Sequence, residues 1–184
     1  EVESFINIGP GGHLKTWQFL ATPTGSDGNG QTLKESWMEG GTNTNSTGYG
    51  AQFTGTNGTI GYDAQSVAPS VKFWDEGTGK WKEFSNTNDP LYNIRGYFAF
   101  VRGDRSVNGT TVTTATNTTL RSKGNILTGT QTFGAPIEKP FNTFYSIGNP
   151  YPSAVDMTQV QATIGGGSPD LLQFFYVWNP GKSD

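Results

Sequence analysis

Gly96-Tyr-Phe-Ala-Phe-Val-Arg-Gly-Asp-Arg-Ser-Val-Asn108 is the stretch that decides the fold. Successive side chains of an extended chain point to opposite faces, so Tyr97, Ala99 and Val101 share one side and Phe98, Phe100 and Arg102 the other. Apolar groups occupy both sides as far as Arg102. This predicts a strand in the middle of a sheet, covered on both faces, with polar groups only at its exit. That exit, Arg102-Gly103-Asp104-Arg105, contains the integrin tripeptide. Adhesion through the tripeptide needs a projecting loop, whereas this one leaves a buried strand directly. The expectation is a tight structural turn in which Gly103 takes the unusual φ. Asp104 then caps backbone N–H groups or pairs with Arg102 or Arg105.

Outward from that strand, Val71–Phe84 reads as a hairpin. Two alternating arms flank a Glu-Gly-Thr-Gly turn, and Trp74 faces Trp81 across it. Leu14–Ala21 alternates as well, with Trp17, Phe19 and Ala21 on one side and Thr16, Gln18 and Leu20 on the other. Further strands are expected at Val107–Thr114, Thr118–Lys123, Ile126–Phe133, Phe141–Ile147 and Gln173–Trp178, the last one buried. Leu33–Met38 reads as a helical turn carrying Trp37. Residues 40–61, rich in Gly, Thr and Asn, read as a surface excursion or a set of short strands. Residues 155–164 place Met157, Val160 and Ile164 on one stripe, predicting one short helix that ends at Gly165-Gly-Gly167. About eight to eleven short strands bounded by turns predict an all-β, antiparallel β-sandwich or jelly-roll-like domain. The whole of 1–184 forms that single domain. The Asn179-Pro180-Gly181 turn close to the end predicts a fragment cut before at least one more strand.

Composition agrees with this architecture. Of 184 residues, 26 are Gly and 10 Pro, and aromatics reach 13% against only 33% hydrophobic residues, so the core must rest on rings. The net charge of -3 comes without any basic run, which argues against nucleic acid as a partner. No stretch approaches the roughly 20 apolar residues that cross a bilayer, so no membrane insertion is expected. Cysteine is absent, which removes thiol catalysis, disulfides and thiolate metal sites.

Several segments in order carry a resemblance. They are Trp17-Gln-Phe-Leu-Ala-Thr-Pro23, Ser36-Trp37, Gly61-Tyr62-Asp63, Phe73 with Trp81, and Gly96-Tyr97 leading to Val101-Arg-Gly-Asp-Arg105. Thr118-Thr-Leu-Arg121, Leu127-Thr-Gly129, Ile147-Gly-Asn-Pro-Tyr-Pro152, Val155-Asp156 and Phe175-Tyr-Val-Trp178 complete the series. This order resembles a module of large secreted surface proteins of Bacteroidota that sits upstream of the C-terminal sorting domain of the type IX secretion system. The resemblance implies a secreted, extracellular, cell-surface location and an adhesin-like role. Its partners would be other domains of the same polypeptide or cell-surface components. It implies no catalytic residue.

Candidate sites divide by chemistry. Aromatic rings offer stacking faces to sugars, so Trp37, Tyr49, Tyr62, Trp74, Trp81, Tyr92 and Tyr151 are the candidates for carbohydrate binding, with polysaccharide the partner. Asp27-Gly28-Asn29-Gly30 resembles the start of a calcium loop, making Asp27 and Asn29 the metal candidates and calcium the one ion to consider. The later ligand spacing fails at Gln31 and Glu35, so a plain loop is expected and no cofactor. His13 is the only histidine and sits beside a Gly-rich breaker, which suits a solvated loop residue. Glu35, Glu39, Asp63 and Asp156 are the carboxylates a glycoside hydrolase would draw on. Surface pairing is the plainer reading of Glu35 and Glu39. No nucleophile elbow, phosphate loop or dinucleotide fingerprint occurs. The sequence thus predicts a non-catalytic structural or adhesive module, with a carbohydrate-binding module as the alternative and a carboxylate-dependent hydrolase behind it.

Overall fold

The computed structural model describes residues 1–8, 15–25, 31–41, 49–56, 60–63, 66–92, 94–108, 114–131, 144–159 and 176–179. Within these the chain forms eight strands: β1 (Val2–Ile6), β2 (Thr16–Leu20), β3 (Thr24–Gly25), β4 (Val71–Asp75), β5 (Lys80–Glu83), β6 (Tyr97–Val101), β7 (Thr118–Ser122) and β8 (Asn125–Ile126). The paired strands are all antiparallel. The fold is all-β and sandwich-like, and its one described helical turn spans residues 157–159.

The main sheet runs β2-β6-β4-β5, which places β6 in its interior as the alternation from Gly96 onward predicts. Its register sets two faces. On the inner face Ala99 pairs with Val71 and Gln18, and Tyr97 with Phe73 and Leu20. Tyr97, Ala99, Val101 and Val71 are buried there. On the outer face Phe98 pairs with Phe19 and Lys72, Phe100 with Trp17, and Trp74 with Trp81.

Across the core lies a second layer built from the β1–β7 ribbon and the irregular segments around it. Leu120 of β7 is buried, and Ile6 of β1 packs against the same cluster with Ile8, Leu33, Met38 and Phe53. Rings dominate the centre. Trp37 meets Tyr97 edge to face (5.7 Å, 87°), Phe84 stacks on Tyr97 (5.6 Å, 26°), and Phe73 meets Phe84 at 5.3 Å. Such pairs contribute roughly 0.5–1.5 kcal/mol each beyond their area burial.

The hairpin turn between β4 and β5 closes through its own side chain. Asp75 accepts hydrogen bonds from the Gly77 amide and the Thr78 hydroxyl, and Gly79 supplies φ +63°. These bonds, Thr78 first, hold the Asp75 carboxyl below its ordinary value.

Four expectations about elements are corrected. Residues 51–55 are buried and irregular, although 40–61 reads as a surface excursion or a set of short strands. The segment stays irregular because its amides find partners one at a time: Ala51 on the Trp37 carbonyl, Phe53 on Asp63 Oδ2 and Thr54 on Ser70 Oγ. Residues 144–146 are not a strand, and Ile147 makes a single bridge to Arg95, because two prolines follow at once. Beyond Ile126, residues 127–131 leave β8 without pairing, in keeping with Gly129 at φ +68°. Residues 176–178 are exposed and irregular rather than a buried strand. The expected helix is described only at 157–159, where Asp156 Oδ1 accepts from the Thr158 amide at 2.9 Å. Residues 160–164 and 171–175, like Asp27, Asn29 and His13, lie outside the described residues.

Candidate functional site

Arg102, Asp104 and Arg105 form a structural turn in which Asp104 caps a backbone N–H, one of the two roles expected of it, while Arg105 pairs elsewhere, with Asp63. Gly103 adopts φ +142° and abuts Thr116 and Val107. Asp104 Oδ1 accepts from the Ser106 amide at 2.8 Å, and the Asp104 amide donates to Thr116 Oγ1 at 3.0 Å. Arg102 lies over the Phe100 ring at 4.9 Å, and burial lowers its pKa. Arg105 turns inward. Its guanidinium donates to Asp63 Oδ1 (2.8 Å) and Oδ2 (3.3 Å) and to the Ala51 carbonyl (2.8 Å). Both side chains of this pair are fully buried. Within the tripeptide Gly103 and Asp104 are buried and Arg102 is half-buried, so it is not displayed on a projecting loop.

The aromatic candidates fall in different places. Trp37 and Tyr62 are 2% and 3% exposed, so they belong to the core and offer no ring to a ligand. The Tyr62 hydroxyl donates to the Phe84 carbonyl at 3.0 Å, and burial raises its pKa. Tyr49 lies on the surface with the Arg121 guanidinium 3.5 Å above its ring, held there by Glu1, Glu3 and Glu39. Tyr92 is exposed, with Arg95 5.5 Å over its ring. The Tyr151 hydroxyl donates to the Gly129 carbonyl at 2.6 Å.

Trp74 and Trp81 stand together on the outer face of the main sheet, edge to face at 5.4 Å. Around them the register gathers a continuous ring surface. Phe98 is stacked between Trp17 (4.7 Å, 8°) and Trp81 (5.3 Å, 28°). Phe100 meets Trp17 at 5.6 Å and Phe19 meets Trp81 at 6.3 Å. Trp178 sets its edge on Phe98 at 5.0 Å and donates its indole N–H to the Trp17 carbonyl at 2.7 Å. The Trp74 indole donates to the Phe144 carbonyl at 2.7 Å. Lys72 Nζ sits 5.2 Å over Trp17, so the surface carries cations as well as rings. Trp81 and Phe19 remain 40% and 37% exposed. The sequence predicts a cover over Phe98 and Phe100 as well, but among the described residues that face is only partly covered and both rings are half-buried. The signal that distinguishes them is the alternation itself, which puts them opposite Tyr97, Ala99 and Val101.

The carboxylates serve four separate local structures. Glu35 accepts from the Thr32 hydroxyl in an exposed turn, Glu39 pairs with Arg121 at 3.5 Å, Asp63 holds Arg105 and Asp156 caps residues 157–159. Among the described residues no group of three or more His, Asp or Glu side chains could hold a metal ion, and no helix is long and apolar enough to cross a membrane. The ring surface offers stacking faces to a partner. No protein family matches this chain, and neither does any curated protein or solved structure.

Proposed function

We propose that this chain is a non-catalytic, adhesive or structural module of an exported cell-surface protein, working by contact through the outer face of its main sheet. The observation that carries this reading is the continuous ring surface from Trp17 through Phe98 to Trp81. An exposed aromatic patch on a rigid sheet marks an interaction surface, because those rings gain from being covered. The partner is another domain of the same polypeptide or a component of the cell surface. Location and export by the type IX route rest on the ordered motifs from Trp17 to Trp178.

The test is hydroxyl-radical footprinting of the isolated chain against the full-length exported protein on intact cells. Trp81 and Phe19 should be strongly oxidised in the former and protected in the latter. Equal oxidation in both would refute contact through this face.

A second reading, a carbohydrate-binding module, is favoured by the exposed indole of Trp81 and the Trp74 ring beside it. It predicts retention on a polysaccharide array that Trp81→Ala abolishes. An array with no binding removes it and leaves the first reading standing.

A further inference from the structure

The two edges of the main sheet are built differently. β5 forms one edge, and its sequence Lys80-Trp-Lys-Glu83 carries two lysines, the usual guard against a second chain pairing there. Among the described strands β2 forms the other edge. Its sequence Thr16-Trp-Gln-Phe-Leu20 has no charge and no proline.

In an antiparallel ladder alternate residues turn their main-chain groups toward the neighbour and away from it. The Trp17 carbonyl accepts the Trp178 indole, so Trp17 faces away from β6. Phe19, two residues on, therefore points its N–H and C=O outward too, and neither has a hydrogen-bond partner among the described residues.

Beside this edge runs a groove of about 330 Å³, lined by Val2, Glu3, Leu20, Ala21, Ile147 and Tyr151 among others. Its lining is mixed, apolar beside polar, with Glu3 the one charged group. Arg121 near its rim is held by Glu1, Glu3 and Glu39 at 3.2, 2.8 and 3.5 Å. Three carboxylates against one guanidinium leave that rim negative.

We propose that this edge accepts an extended, cationic segment of another polypeptide. The segment adds a strand along Phe19–Ala21, places its apolar side chains in the groove and sets a lysine or arginine near Glu3. Main-chain hydrogen bonds supply the attachment and the groove supplies selection, as in other cases of strand addition. The site shares Phe19 with the ring surface but uses its main-chain groups rather than its ring, so either contact can fail without the other.

The probe is a capped peptide of alternating threonine and valine with a central lysine, titrated into isotope-labelled chain and followed by NMR. Amide shifts should concentrate at Glu3, Phe19, Leu20 and Ala21. Exchange of the Phe19 amide should slow at least about tenfold at saturation, the effect of closing one hydrogen bond. Phe19→Pro removes the outward N–H at a position where an edge strand tolerates proline, and should weaken binding about tenfold. Phe19→Ala keeps that N–H and should retain most of the affinity.

Equal losses in the two variants would overturn the proposal in favour of recognition by the ring. A peptide with glutamate in place of lysine that binds equally well would overturn the charge argument. Concentration-dependent shifts at the same residues without peptide would show a second copy of the chain to be the occupant. If Phe19→Pro melts below the assay temperature, exchange of Phe19 in the unaltered chain decides, and no slowing refutes strand addition.

Discussion

Removing the carboxylate of Asp63 should cost more than any other single polar change in the core. In the native chain Asp63 receives two hydrogen bonds from Arg105 and one from the Phe53 amide at 2.9 Å, all without access to water. Asp63→Ala strands a buried guanidinium without its counter-charge and leaves the Phe53 N–H unpaired. Arg105 cannot swing out to recover solvent, because Gly41 packs directly against its guanidinium and Ala51 and Gln52 hold the same residue. Breaking a buried pair in this way costs about 3–5 kcal/mol. For a chain of this size that lowers the melting temperature by roughly 6–20 °C. Denaturant unfolding followed by tryptophan fluorescence gives the loss directly. The paired replacement Asp63→Leu with Arg105→Met removes both charges together and should recover most of it, since an apolar pair avoids the desolvation cost. A loss below about 1 kcal/mol for Asp63→Ala, or single-variant effects that simply add in the double-mutant cycle, would refute the reasoning.

Asp104→Ala should lower stability by about 1–2 kcal/mol, because the Ser106 amide loses its acceptor in a half-buried turn; an unchanged denaturation midpoint would deny that turn a structural role. Gly41→Ala should destabilise by roughly 1–3 kcal/mol, since its Cβ would lie 2.5 Å from Arg105 Cζ, and the melting temperature checks it. Alkaline pH should destabilise the chain. Burial pushes the Tyr97 phenol from 10.0 up to about 12 and raises Tyr62 as well. Between those values the unfolded chain has already lost protons that the folded chain keeps, so stability falls as pH rises above about 10. Denaturant midpoints at about pH 9 and 11 measure the fall, and Tyr97→Phe should shrink it.

What the sequence by itself determined was the class of structure and the identity of its central strand. Alternation in Tyr97–Val101, Thr16–Leu20 and the Val71–Phe84 hairpin is a local signal, because strand periodicity depends only on neighbouring residues. The turn at Gly103 was legible for the same reason. Tertiary structure decided which ring belongs to which surface. Trp37 and Trp81 are the same residue type in similarly polar surroundings. One is buried because the irregular segment at residues 51–55 closes over it. The other stays open because β5 is an edge strand whose outer face is only partly covered. The partner of Arg105 was equally hidden, since Asp63 lies 42 residues earlier in the chain. Burial and ion pairing are settled by what packs across the core, and no window of neighbouring residues contains that information.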